Sequence, residues 1–237
     1  MSYQYSFNKD QCWYKDVCNK FGTDDCYSGC IRYMEMHYLM STSNIPIKMQ
    51  LQHKLIPHKT DIKSFERLKE VKNNIKDFVE SGDNLYIYSS NTGNGKTTWA
   101  VNLMQTYFNK VWCGNGFNIR GVFVNVPTFL TTFKNVINRP DPNFEEYKEH
   151  ILVSDLVVWD DIGATQLSNY DHTNLLTYID QRVFKKLSNI YTGNLYEDKL
   201  RDALGERLFS RVWNDSEHIL LNGPDRRGTN DSNSSIK

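Results

Sequence analysis

Between a short apolar run, LYIYS (85–89), and a helical pattern over 96–109 stands the segment Ser90-Asn91-Thr92-Gly93-Asn94-Gly95-Lys96-Thr97. No other feature limits the fold so strongly, because a glycine-rich turn that leaves a buried strand and opens a helix is a phosphate-binding loop. Glycines let the main chain curl until successive N–H groups point at one anion. The following helix adds its positive end. Lys96 supplies a point charge for the outer phosphates of a nucleoside triphosphate, and Thr97 supplies a hydroxyl for magnesium. Thr92, Gly93, Asn94, Gly95 and Thr98 complete the nucleotide-binding set. Ser90 stands where the Walker A pattern G-x-x-x-x-G-K-[ST] has its first glycine, and the remainder, G-x-G-K-T-T, is intact.

The patterning on either side fits such a loop. Ile62, Phe65, Leu68, Val71, Ile75, Phe78 and Val79 recur at three- and four-residue spacing, which predicts one amphipathic helix closed by Ser81-Gly82. GVFVNV (121–126), DLVVWD (155–160), SNIYTGN (188–194) and HILLN (218–222) read as strands beside LYIYS. Pro127 opens a helix with Phe129, Leu130 and Phe133 on one side. The stretch 172–187 reads as a helix with Leu175, Leu176, Ile179, Val183 and Phe184 turned inward. Strand–helix alternation of this kind predicts an α/β fold with a five-stranded, mostly parallel sheet flanked by helices.

A second motif supports the first. LVVWDD carries a buried strand into Asp160 and Asp161, at the end where ligands bind in such sheets. Asp160 is placed to hold magnesium with Thr97, and Asp161, one position further out, to polarise an attacking water.

The rest of the chain sets limits. Its 28 basic and 28 acidic residues balance, which argues against a protein that coats nucleic acid. No run approaches the roughly 18–20 apolar residues of a membrane span, and the N-terminus lacks the pattern of a signal peptide, so a cytoplasmic protein is expected. In that compartment cysteines are free or metal-bound. Cys12, Cys18, Cys26 and Cys30 fall in one window with gaps of five, seven and three residues, and His37 comes after them. Four thiolates suit tetrahedral zinc, with His37 as the substitute should one fail, but the tight C-x-x-C pairs of a strong zinc signature are missing, so free thiols stay open. The run 31–40, IRYMEMHYLM, is either a docking face or a packing core. The expected division is a small N-terminal domain (1–45), a linker (46–60), an ATPase domain (61–225) and a disordered tail (226–237).

Walker A, then WDDIG (159–163), TGNL (192–195) and GERLFSR (205–211), in that order, resemble the DnaC/DnaI-type replicative helicase loaders of the AAA+ class and the related IstB-type transposition helpers. The resemblance covers roughly 65–227. It implies an AAA+ ATPase that converts ATP to ADP and phosphate, with Asn194 contacting the γ-phosphate or the attacking water and Arg211 reaching the nucleotide of a neighbouring copy, so that self-association runs through Arg211. It places Arg226 and Arg227 near the nucleotide, implies the absence of a C-terminal helical lid, and favours zinc in an N-terminal domain that docks on the replicative helicase. The implied function is loading of that helicase onto single-stranded DNA, with Lys134, Arg139, Lys185 and Lys186 as candidate DNA contacts. A transposition helper, or a helicase adaptor or inhibitor with little turnover, is the alternative.

Overall fold

The computed structural model describes residues 6–50, 55–137 and 139–225; Arg226, Arg227 and the rest of the stretch read as a tail lie outside it. Five strands form one sheet: β1 (Asn84–Tyr88), β2 (Gly121–Asn125), β3 (Leu156–Asp160), β4 (Ser188–Gly193) and β5 (Glu217–Leu220). Their order is β2-β3-β4-β1-β5, and every neighbouring pair is parallel. The helices are α1 (Ile31–Thr42), α2 (Ile47–Gln50), α3 (Ile62–Asn73), α4 (Ile75–Ser81), α5 (Lys96–Val111), α6 (Val126–Asn135), α7 (Pro142–Val153), α8 (Asn169–Phe184) and α9 (Glu197–Phe209), with a π-helical turn at Ser210–Asn214.

Alternation along each strand builds two cores. Leu85 and Ile87 of β1, Val158 of β3 and Ile190 of β4 face one layer, with Leu103, Met104 and Phe108 of α5 and Leu68 and Ile75 of α3 and α4. Tyr86, Val157, Trp159 and Tyr191 face the other, with Phe129 of α6, Ile151 of α7, Leu175 and Ile179 of α8, and Leu204 and Leu208 of α9. Strands buried on both faces explain the near-continuous apolar runs of the sequence.

The first layer extends into the N-terminal segment. Tyr14, Met36, Leu39, Met40 and Ile45 belong to the same cluster as α5, so the three- and four-residue spacing along α1 serves packing, and Tyr33 is buried as well. The stretch read as a linker carries α2, which Gln105 of α5 holds by donating to the carbonyls of Met49 and Gln50 at 3.1 Å each. Trp13 donates to the same Gln50 carbonyl at 3.3 Å. The edge of β2 is covered too: Phe123 donates its N–H to the Ser43 carbonyl at 2.7 Å.

Several boundaries differ from the sequence reading for local reasons. The single helix expected over 62–81 is two, broken at Asn74, whose backbone leaves the helical region and caps both pieces; adjacent asparagines are weak helix formers. Helix α8 starts at Asn169 rather than 172, because Ser168 and Asp171 form a reciprocal capping box. It ends at Phe184, which is 90% exposed rather than turned inward. Helix α7 has no counterpart in the sequence reading, although Asp141 caps it and Pro142 opens it.

One buried cation ties the lower half of the sheet together. Arg182 of α8 is wholly buried. It donates to the Asn189 side-chain oxygen at 2.7 Å and to the carbonyls of Ile151 at 2.6 Å, Ser154 at 2.8 Å and Ser188 at 2.7 Å. Burial pulls its pKa below the usual arginine range, and the ring of oxygens offsets that desolvation. Asn189 also accepts from the Trp159 indole at 3.0 Å and donates to Asn84 at 2.9 Å, so α7, α8, β1, β3 and β4 share one polar network. Arg182→Met should lower the unfolding free energy by about 3–5 kcal/mol, since it strands those carbonyls without partners; denaturant melts of the variant and the parent give the number.

Candidate nucleotide site

Because all strands run one way, Tyr88 of β1 pairs with Gly193 of β4 and Leu220 of β5, and Asn125 of β2 pairs with Asp160 of β3, along one carboxyl edge. The loop after β1, Asp160 at the end of β3 with Asp161 just beyond it, and Asn194 after β4 therefore converge. A cleft of about 600 Å³ opens there, lined by residues 92–99 of the loop and α5, by Asp161 and Asn194, and by Met49, Leu55–His58 and Asp61.

The loop takes the curled form its glycines permit. Gly93 and Gly95 hold φ of 66° and 101°, a region from which a side chain would be strained. Lys96 is 6% exposed. Its ammonium donates to the Asn91 carbonyl at 2.8 Å and the Asn94 side-chain oxygen at 3.2 Å, oxygens that hold the charge in the place phosphate oxygens would take. Ser90 is exposed, so the lost first glycine leaves no steric conflict at that turn.

Thr97 and Asp160 meet directly. The Thr97 hydroxyl donates to Oδ1 of Asp160 at 2.7 Å, and the Thr192 hydroxyl of β4 donates to the same oxygen at 2.7 Å. Asn125 reaches Oδ2 at 3.5 Å. A hydroxyl and a carboxylate at this separation, opening on a phosphate loop, fit magnesium, which takes few protein oxygens and keeps its waters. Asp161 sits at φ 58°, left-handed for a non-glycine residue, and its N–H donates to the Thr192 hydroxyl at 3.1 Å. Strain of this kind persists where the surroundings over-determine a functional side chain, and here it directs Asp161 to the cleft wall. Asn194 also lines the cleft, and its buried side-chain oxygen has no hydrogen-bond partner among the described residues. Such an orphaned acceptor fits a water or ligand at the site.

Two parts of the cleft escaped the sequence reading. Residues 55–58, read as linker, form its far wall. Asp61, 4% exposed, anchors that wall by accepting the N–H groups of Asn222 at 2.7 Å and Gly223 at 2.9 Å. The chain beyond β5 is also laid against the phosphate loop. Asn91 donates to the carbonyls of Asn222 and Gly223 at 3.2 Å each, Asn94 to that of Leu221 at 3.0 Å, and Thr92 to the Asp225 carboxylate at 3.3 Å. A polar, aspartate-bearing stretch before an apolar helix was the available signal for Asp61; nothing local marks the partners of Asn91 and Asn94.

The remaining candidates sit elsewhere. Arg211, in the π-helical turn, donates Nε to Asp180 at 2.6 Å. Lys134 pairs with buried Asp171 at 2.7 Å, while Arg139, Lys185 and Lys186 are exposed. The four cysteine thiols share a neighbourhood: burial raises the pKa of Cys12, and the nearness of Cys18, Cys30 and Cys26 raises it further. Yet among the described residues no group of three or more His, Cys, Asp or Glu is arranged to hold a metal. His37 stacks on Tyr33 at 5.8 Å. No described helix is long and apolar enough to cross a membrane.

Residues 38–232 match the family described as IstB-like ATP binding protein. No curated protein matches the sequence. Among solved structures the chain is similar to the DnaC helicase loader, with TM-score 0.62 and 18% identity over 75% of this chain and 100% of that one. It is similar to DnaI, with TM-score 0.58 and 19% identity over 78% and 95%. The AMPPCP-bound DnaA from Aquifex aeolicus gives TM-score 0.54 and 16% identity over 73% and 50%.

Two substitutions check the geometry by nucleotide binding alone. Lys96→Ala should weaken binding of a fluorescent ATP analogue by about 2–5 kcal/mol, the effect of truncating one partner of a buried charge pair. Thr97→Ala should retain binding without added metal and lose the gain that magnesium gives the parent.

Proposed function

The chain belongs to the IstB-like ATP-binding protein family, and on that premise we propose that it is an ATP-driven loader of the replicative DNA helicase onto single-stranded DNA. Its domain has the AAA+ P-loop fold of DnaC. The observation that carries hydrolysis is the pairing, in one cleft, of an orphaned acceptor on Asn194 with Asp161 held at a left-handed backbone.

In this reading Lys96 and the N–H groups of residues 93–98 bind the β- and γ-phosphates of ATP. Thr97 and Asp160 would hold magnesium, which when bound neutralises phosphate charge. Asn194 orients a water with its free oxygen, and Asp161 takes that water's proton as its oxygen attacks the γ-phosphorus. The bond to the β-phosphate oxygen breaks, leaving ADP and phosphate. Arg211 of a neighbouring copy meets the charge that develops on the γ-phosphate, a contribution worth about 10³–10⁵ in rate where it has been isolated. The role read for Arg226 belongs to the same reading.

Loading is supported by the extent of the likeness to DnaC and DnaI, which this chain covers almost whole. Arg139, Lys185 and Lys186, exposed and without a carboxylate partner among the described residues, are the residues offered to single-stranded DNA; Lys134 is committed to Asp171. The zinc role of Cys12, Cys18, Cys26 and Cys30 rests on the gathering of their thiols and requires them to close on one ion at about 2.3 Å.

Three outcomes test this. The purified chain should pull down the replicative helicase with ATP and promote its transfer to a closed single-stranded circle; capture by a transposase instead, with no helicase loading, would move the chain to the transposition helpers. Asp161→Asn and Asn194→Ala should each lower phosphate release by about 10²–10³-fold with nucleotide affinity little changed; unchanged release in both removes the catalytic roles and favours a helicase adaptor or inhibitor. Stoichiometric zinc in the purified protein, lost together with helicase capture in a Cys12→Ser, Cys30→Ser variant, supports the metal; its absence makes these four structural thiols.

A further inference from the structure

Three charged side chains, from α8, α9 and the π-helical turn, meet away from the lining of the cleft. Asp180 of α8 accepts Nε of Arg211 on Oδ1 at 2.6 Å and NH2 of Arg207 on Oδ2 at 3.0 Å. Arg207 lies in α9 and Arg211 one turn later in the π-helical turn, which also contacts Asp215 through NH1 at 3.4 Å. The backbone that carries them is irregular on both sides: Gly205 breaks α9 at φ 70°, and Ser210–Asn214 is wound as a π-helix. Single π turns concentrate at functional sites.

Stability does not account for this arrangement. Arg207 and Arg211 are 72% and 39% exposed, and exposed ion pairs contribute about 0–1 kcal/mol. Bringing two guanidinium groups onto one carboxylate sets like charges side by side, with Asp215 as the second carboxylate beside Arg211. The group also rims a concavity of about 470 Å³ lined by Asp180, Val183, Phe184, Lys185 and Arg211, where Phe184 is 90% exposed. Asp180 grips Arg211 by Nε, on the flank of the guanidinium. The NH2 group makes no hydrogen bond among the described residues and is left for an incoming anion.

We propose that Asp180 is a positioning residue: it fixes Arg207 and Arg211 as a pair so that Arg211 presents its outer amine to the nucleotide of a second copy of this chain. Asp180 touches no substrate; it sets the aim of the residue that does. The inference rests on the reading of Arg211 as an arginine donated between copies. The pKa of Arg211 is raised, first by its bond to Asp180, so the donor stays charged throughout.

The test uses phosphate release by the full chain at assembling concentration. Arg211→Ala is expected to reduce kcat by about 10³-fold. Asp180→Asn is expected to reduce kcat by about 10–100-fold, the effect of misplacing a reacting group, with KM for ATP nearly unchanged. Asp180→Glu should recover most of that loss. The decisive arm mixes each variant with Lys96→Ala chains, which have no working cleft but carry an intact Asp180–Arg211 pair. Mixing should restore turnover to Asp180→Asn, because its own cleft is sound and the neighbour now supplies the aimed arginine. If Asp180→Asn stays impaired in the mixture, the lesion lies in its own fold and the proposal is overturned. If Arg211→Ala loses activity while Asp180→Asn keeps it, the proposal fails and the donated arginine stands. If Arg211→Ala itself keeps full activity, the donated arginine fails, and the role of Asp180 fails with it.

Discussion

Insertion of β4 between β1 and β3 is the constraint on which the rest depends. Parallel pairing on both sides of β4 sends three chain ends to the same edge, and the spacing of strands, close to about 5 Å, separates the phosphate loop from Asp160 by one intervening strand. That strand then contributes Thr192, whose hydroxyl joins Asp160 to the N–H of Asp161, and Asn194 just beyond. A sheet with β1 and β3 adjacent would bring the loop and the acid together but leave no element between them to carry an acceptor. The lower edge answers the same constraint: strands packed from both faces leave polar ends with nowhere to find water, and Arg182 and Asn189 supply the missing partners.

The convergence of the candidate nucleotide site was legible because its motifs are local. The loop, the acid pair at the end of a buried strand and the residue after Thr192-Gly193 each sit within a few residues of the strand that aims them, so the order of motifs along the chain already implied the order of groups in the cleft. What escaped is held by distant parts. The wall at residues 55–58 depends on Asp61 meeting the N–H groups of Asn222 and Gly223, and α2 depends on Gln105. Composition makes such stretches look like linkers because their order comes from a partner elsewhere in the chain. Phe184 failed for a different reason: its spacing from Leu176 marks it as apolar and helical, but it is the last residue of α8 and stands 90% exposed, and periodicity cannot see where a helix outruns its packing partners.

The N-terminal segment shows the limit of reading domains from composition. Its aromatic and cysteine-rich sequence differs sharply from that of the nucleotide-binding portion, yet Tyr14, Met36, Leu39 and Met40 complete a layer begun by α5, and Arg32 lies 3.4 Å over the Tyr14 ring. The chemical boundary and the packing boundary do not coincide. The phosphate loop opens α5, and the N-terminal segment packs on the same helix, with Arg32 5.6 Å from the ring of Trp112 at its far end.

The strap beyond β5 has a consequence for how this chain can change over generations. Asn91, Thr92 and Asn94 occupy letters that a phosphate loop leaves open to any residue, yet here they hold main chain and a carboxylate that lie 127 to 133 positions further along. Such letters are no longer neutral. A substitution at one of them removes a hold on the strap, and a change in the strap removes a partner from the loop, so each stretch constrains what the other can accept.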